Sequence, residues 1–131
     1  MDLTLEDIQV MFLRADGGPA GARAAFEQLE PSCPALRGRK FYSTYQGVEY
    51  RACVALLPRD DARQLGLQTW VIPGGLYVRE KMTDWASRLP ETGNTFMAMA
   101  DREKSRVDTT RPSIEFYRSQ REVILFLPVT R

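Results

Sequence analysis

Apolar and polar positions alternate with period two along most of this chain and take up a helical period in two places. Ile8, Val10 and Phe12 face one way within Asp7 to Leu13, which predicts a first strand. Asp16-Gly-Gly-Pro19 breaks it. Ala22, Ala25, Phe26 and Leu29 then recur at i, i+3, i+4 and i+7, the stripe of a helix opened by Pro19 and closed by Pro31 with Pro34. From Arg39 the period returns to two. Lys40 to Tyr45, a turn at Gln46-Gly47 and Val48 to Leu57 read as a hairpin, with Phe41, Ser43 and Tyr45 on one face and Tyr42 on the other. Pro58 to Asp61 stops it, and the segment to Gly66 has room for one helical turn.

Leu67 to Ile72 and Leu76 to Met82 are predicted strands separated by Pro73-Gly-Gly75, with Trp70 and Ile72 sharing a face, as do Tyr77, Arg79 and Lys81. Thr83 to Gly93 is irregular. Asn94 is the expected N-cap of a second helix to about Ser105, which lines up Phe96, Met99, Ala100 and Glu103. Arg111 to Arg118 and Glu122 to Val129 form the closing hairpin, in which Ser113, Glu115 and Tyr117 share one face and Ile114 and Phe116 the other. The order is strand, helix, hairpin, twice over. It predicts a duplicated α+β domain with pseudo-repeats at about 5–58 and 67–129, an antiparallel sheet, and a cleft where the halves meet. In that arrangement Tyr42 or Tyr45 would mirror the Glu115 region.

At 131 residues, one domain can bury a sufficient core without staples. Lys and Arg number 18 against 17 Asp and Glu, with no basic block, so direct nucleic-acid binding has no visible source. The chain has no histidine, which excludes Ser-His-Asp and Cys-His catalysis and most zinc sites. Cys33 and Cys53 lack metal-ligand spacing, and no apolar run reads as a signal peptide or membrane span. A cytoplasmic protein without metal or cofactor is expected, with Cys53 in the core.

Glu115 stands out against this background. Glutamate is a poor strand former, and its ionised carboxylate is costly to bury unless cations or hydrogen-bond donors replace water. It is either a solvated edge residue near Arg118 or Arg121, or a half-buried carboxylate serving a ligand. Trp85, in the irregular segment, folds over the cleft as a lid or packs under the loop.

Three segments carry a resemblance: Tyr50-Arg-Ala-Cys-Val-Ala-Leu56, Ile72-Pro-Gly-Gly-Leu-Tyr-Val78, and Arg111-Pro-Ser-Ile-Glu-Phe-Tyr117 with the strand ending at Pro128-Val129. Their order and spacing resemble the GyrI-like small-molecule-binding family, which includes the effector-binding domains of MerR- and AraC-type multidrug regulators. The resemblance implies paired strand-helix-hairpin modules around a cleft, with Glu115 as the cleft glutamate that accepts charge from lipophilic cations and Tyr77 near it. Strand parity and helix face add Tyr42, Tyr45, Trp70, Phe96, Met99 and Tyr117 as expected lining residues. The chain carries no helix-turn-helix segment, so a stand-alone binder or enzyme is expected rather than direct control of transcription. Two functions follow from one carboxylate: a binder of cationic drugs, or a hydrolase opening strained electrophilic rings with Glu115 as general base and Tyr77 or Tyr117 as donor. A protein-interaction role is a third reading, and monomer and homodimer both stay open.

Overall fold

The first strands of the two predicted hairpins pair with each other, and this junction organises the sheet. In the computed structural model, which describes residues 2–33 and 35–131, β3 (Phe41–Gln46) lies antiparallel to β7 (Ser113–Tyr117), with Ser43 opposite Glu115. Outward from β3 come β4 (Glu49–Ala55), β2 (Ile8–Arg14) and β5 (Gln68–Ile72); outward from β7 come β8 (Glu122–Pro128), β6 (Gly75–Thr83) and β1 (Asp2–Leu5). All neighbours are antiparallel. Helix α1 (Ala22–Ser32) links β2 to β3, α2 (Ala62–Leu65) precedes β5, and α3 (Glu91–Glu103) links β6 to β7. The fold is therefore α+β, two strand-helix-hairpin modules sharing one sheet, as the alternation of periods predicts.

Both long helices lie on the same face. Ala25 and Leu29 of α1 pack on Met11, Ala52 and Val54, while Met99 of α3 packs on Val78, Met82, Val123 and Leu125. Each large aliphatic side chain buried in this way contributes about 1.5–3 kcal/mol. The pleat sends the alternate residues to the other face, where Val10, Phe12, Tyr42, Cys53, Ile114 and Phe126 form a second core inside the curl of the sheet.

The curl follows from connectivity. β1 and β2 lie near opposite ends of the strand order yet are joined only by Glu6 and Asp7, so the sheet must bend its edges together. At this corner the Gly74 N–H donates to the Asp7 carboxylate at 2.6 Å, and a Cβ on Gly74 would lie 2.5 Å from the Leu5 carbonyl oxygen. Only glycine fits there.

Three local details depart from expectation. β1 is an added edge strand, too short to show in the periodicity. α3 starts at Glu91 after Pro90, ahead of the expected Asn94 cap, because proline's fixed φ suits a helix entry and Glu91 complements the helix dipole. The first turn near Pro19 is a 3₁₀ turn, Gly18–Gly21, and Pro31 lies within the last turn of α1; Pro34 is outside the described residues. No described helix is long and apolar enough to cross a membrane.

Candidate functional site

Helix α1 rests on β2 and β4, and α3 on β8, which leaves β3 and β7 as the floor of a groove between them. Glu115 and Ser43 face each other at its centre. Residues two apart on a strand share a face, so Tyr117 lies beside Glu115 and its hydroxyl donates to Oε1 at 2.8 Å. The same phenol oxygen is 3.1 Å from Ser43 Oγ and 3.3 Å from the Tyr50 hydroxyl. A phenol has one proton, and an ionised carboxylate is the strongest acceptor present, so that proton goes to Glu115 while Tyr50 donates into the Tyr117 oxygen. Oε2 of Glu115 makes no hydrogen bond to the described residues.

No arginine or lysine among the described residues pairs with Glu115; Arg118 lies 3.8 Å from Glu122 instead. Burial pushes the Glu115 carboxyl above the usual glutamate range, and hydrogen bonding by Tyr117 and Ser43 opposes the rise. Burial, reinforced by the charge of Glu115, pushes Tyr117 well above the ordinary phenol range. The floor therefore holds one carboxyl group, answered by phenol and hydroxyl groups rather than by a cation.

Aromatic rings enclose it. Phe26 of α1 meets Tyr117 edge-on, centroids 5.4 Å apart, and Trp85 approaches Tyr117 at 5.1 Å from the turn after β6. Trp85 is anchored by its indole N–H, which donates to the Ser119 carbonyl at 3.0 Å. The next row of the floor is Tyr45 opposite Ser113, and there a pocket of about 190 Å³ opens, lined also by Gln46, Asp108, Arg111 and Leu127. Glu115 adjoins this pocket without lining it.

Of the expected site residues, the structure brings Glu115, Tyr117 and Tyr45 together on the floor. Phe96 packs, as Tyr117 does, against the cluster of Val78, Met82, Met99 and Leu125, and Met99, 1% exposed, is core beneath α3. Tyr42, Trp70 and Tyr77 are corrected: all three lie on the opposite face of the sheet. Tyr42 stacks on Phe116 at 4.9 Å, as the pleat requires of neighbours of Ser43 and Glu115. Trp70 lies under the Arg51 guanidinium at 4.1 Å, beside a separate pocket of about 320 Å³. Tyr77 is fully buried; its hydroxyl donates to the Pro73 carbonyl at 2.6 Å and Arg111 covers its ring at 4.8 Å. Arg111 in turn donates to the Leu76 and Val129 carbonyls at 3.0 and 2.9 Å. The Pro73-Gly-Gly-Leu-Tyr77 and Arg111-Pro motifs thus lock a corner of the sheet, with Arg111 also lining the pocket beside Tyr45.

Sequence reasoning missed Phe26, Ser43 and Tyr50. The parity of the first hairpin already put Ser43 with Phe41 and Tyr45, but the pairing of β3 with β7, which sets Ser43 against Glu115, has no local signal.

No protein-family model matches this sequence, and no curated protein matches it. Solved structures do. An integron cassette protein from the mobile metagenome of Vibrio cholerae superposes with a TM-score of 0.76 at 15% identity, over 99% of this chain and 95% of that one. SAV2435 bound to tetraphenylphosphonium gives 0.66 at 8% identity, over 99% and 93%. A hydrolase from Listeria innocua gives 0.66 at 14% identity, over 99% and 90%. At such identities the likeness is one of architecture: this chain shares its duplicated α+β fold with these solved structures.

Proposed function

We propose that this chain binds lipophilic cations in the groove between α1 and α3, with Glu115 as the counter-charge, in drug sensing or sequestration. One observation carries the reading: a half-buried carboxylate without a basic partner among the described residues, one oxygen held by Tyr117 and the other left free. An anion withdrawn from water without a cation costs several kcal/mol, so a ligand that supplies the positive charge is its natural complement. Phe26, Tyr45, Tyr117 and Trp85 suit a delocalised cation, at about 0.5–2 kcal/mol per well-placed ring, with apolar burial adding about 25 cal/mol per Å². The tetraphenylphosphonium held by SAV2435 is a ligand of this chemistry.

The test is calorimetric titration of tetraphenylphosphonium and of neutral triphenylphosphine oxide into the wild type and Glu115→Gln. A charge about 5 Å from the carboxylate at an effective dielectric of about 20 gains about 3 kcal/mol before desolvation. A net loss of about 1–2 kcal/mol, roughly 5–30-fold, is expected for the cation in the variant, with the oxide spared. Equal losses for both ligands would overturn the reading.

A second reading has its own observation. A carboxyl raised by burial with a phenol at 2.8 Å is the pairing a general base and a proton donor need, and base catalysis of this kind contributes about 10²–10⁴-fold. The Listeria hydrolase of like fold lends it support. Glu115 would then activate water on a strained electrophilic ring while Tyr117 donates to the opening oxygen. Product beyond one equivalent per chain distinguishes turnover from binding.

A further inference from the structure

We propose that the groove takes a second class of ligand, neutral lipophiles bearing one strong hydrogen-bond acceptor such as a phosphine oxide or amide carbonyl, held by Glu115 in its protonated form. The location of the groove rests on the cation reading above; the polarity of the contact does not. Oε1 already receives the Tyr117 proton at 2.8 Å, so a proton added to the carboxyl belongs on Oε2. Oε2 has no partner among the described residues and is not one of the buried unsatisfied atoms, so it keeps contact with solvent. The other hydrogens at the centre of the floor are committed: Tyr117 to Oε1, Tyr50 to the phenol oxygen, and Ser43 between that phenol oxygen and the Glu115 carboxyl. A neutral ligand resting on this centre therefore finds its donor at Oε2–H, whereas a cation needs the same atom bare. One oxygen presents opposite polarities to two ligand classes, and the pH selects between them.

The groups facing Glu115 leave the switch to the carboxyl itself. Its cross-strand partners are Ser43 on β3 and Leu125 on β8; Tyr45 lies one row along, Tyr117 on its own strand, Tyr50 behind it on β4, and Phe26 reaches over from α1. Burial pushes the Tyr50 and Tyr117 hydroxyls above the ordinary phenol range, so neither carries charge in acidic or neutral solution. Burial places the carboxyl's own titration above the usual glutamate range, which widens the interval in which the acid form is present.

Titration calorimetry of the intact chain with triphenylphosphine oxide and with tetraphenylphosphonium, between about pH 5 and about pH 8, tests the inference. The oxide's affinity should fall as pH rises, approaching about tenfold per pH unit beyond the midpoint, and the phosphonium's should rise with the same midpoint. Tyr117→Phe removes a hydrogen bond that stabilises the anion, so it should move both midpoints to higher pH. Glu115→Gln should bind the oxide without pH dependence, its amide N–H replacing the acid proton. Oxide affinity that is flat with pH in the wild type, while the phosphonium still titrates, overturns this inference alone. Absence of phosphonium binding at any pH overturns the cation reading, and an oxide profile that still falls with pH would then support this inference by itself.

Discussion

Glu115→Gln should stabilise the ligand-free protein, and the gain should fade in acid. The substitution preserves side-chain shape and an oxygen for the Tyr117 hydroxyl, now at 2.8 Å, while removing a charge that burial disfavours. Two effects oppose each other. The bond from Tyr117 changes from charge-assisted to neutral, a loss of about 1 kcal/mol. Withdrawing an ionised carboxylate from water costs several kcal/mol, which we discount to about 2 kcal/mol because Glu115 is only half-buried. The net gain is about 1 kcal/mol, or a rise in Tm of about 4 °C for a chain of this size. Because the folded state holds the Glu115 proton more tightly than the unfolded chain does, the carboxyl favours folding below the ordinary glutamate range. That contribution is lost as pH rises through the raised folded value. Glutamine has no such dependence, so the two proteins should converge at about pH 4 and separate by about pH 8 in thermal and urea melts. A variant that melts below the wild type at about pH 8 would mean that the charge is answered within the fold, and the reason to expect a cationic ligand would go with it.

Other substitutions probe the frame and the assignment of faces. Asp60→Ala strands Arg39, whose guanidinium bonds that carboxylate at 2.5 and 2.7 Å with both side chains excluded from solvent; urea melts should register a loss of about 3 kcal/mol or more. The Arg39 bond holds Asp60 below the usual carboxylate range, so the pair's contribution is present at neutral pH and lost as pH falls through that lowered value. Gly74→Ala should cost at least about 2 kcal/mol, since its Cβ would meet three backbone atoms within 2.8 Å, whereas Gly93→Ala, in α3 with nothing within 4 Å, should gain about 0.5–1 kcal/mol. Trp85→Ala should weaken tetraphenylphosphonium about fivefold in calorimetry by removing one ring from the groove, while Trp70→Phe on the far face should leave it within about twofold.

How far the sequence was readable divides along a physical line. Period and punctuation located the strand-helix-hairpin order, the stripe Ala22-Ala25-Phe26-Leu29 and the shared face of Glu115 and Tyr117, because these depend on neighbours within a few residues. What failed was long-range. Tyr42 and Tyr77 are plausible lining residues as single aromatics, but only the β3–β7 and β6–β8 registers decide which side of the sheet each occupies. Tyr77 shares its face with Arg79 and Lys81, and that face turned out to be the inside of the curl, where Tyr77 anchors Pro73. Tyr50 was hidden for a related reason. Its hydroxyl reaches Tyr117 across 67 positions of sequence, a distance no local pattern encodes.

The duplication accounts for the groove's symmetry and also for its single charge. The two-fold relation of an antiparallel pair centred on Ser43 and Glu115 exchanges these two residues and brings Tyr45 onto Tyr117, while α1 and α3 flank the floor from either side. A fully symmetric floor would therefore carry two carboxylates or two serines. Two carboxylates at cross-strand spacing, about 5 Å between Cβ atoms, would share one proton and present a charge that depends on both. Two serines would present none. This chain has a small hydroxyl at position 43 and the acid at 115, so the centre of the groove holds one carboxyl with a hydrogen-bonding hydroxyl opposite it. On the proposed reading, that asymmetry suits a singly charged, bulky and apolar cation and would leave a second positive charge on a ligand without a partner among the described residues.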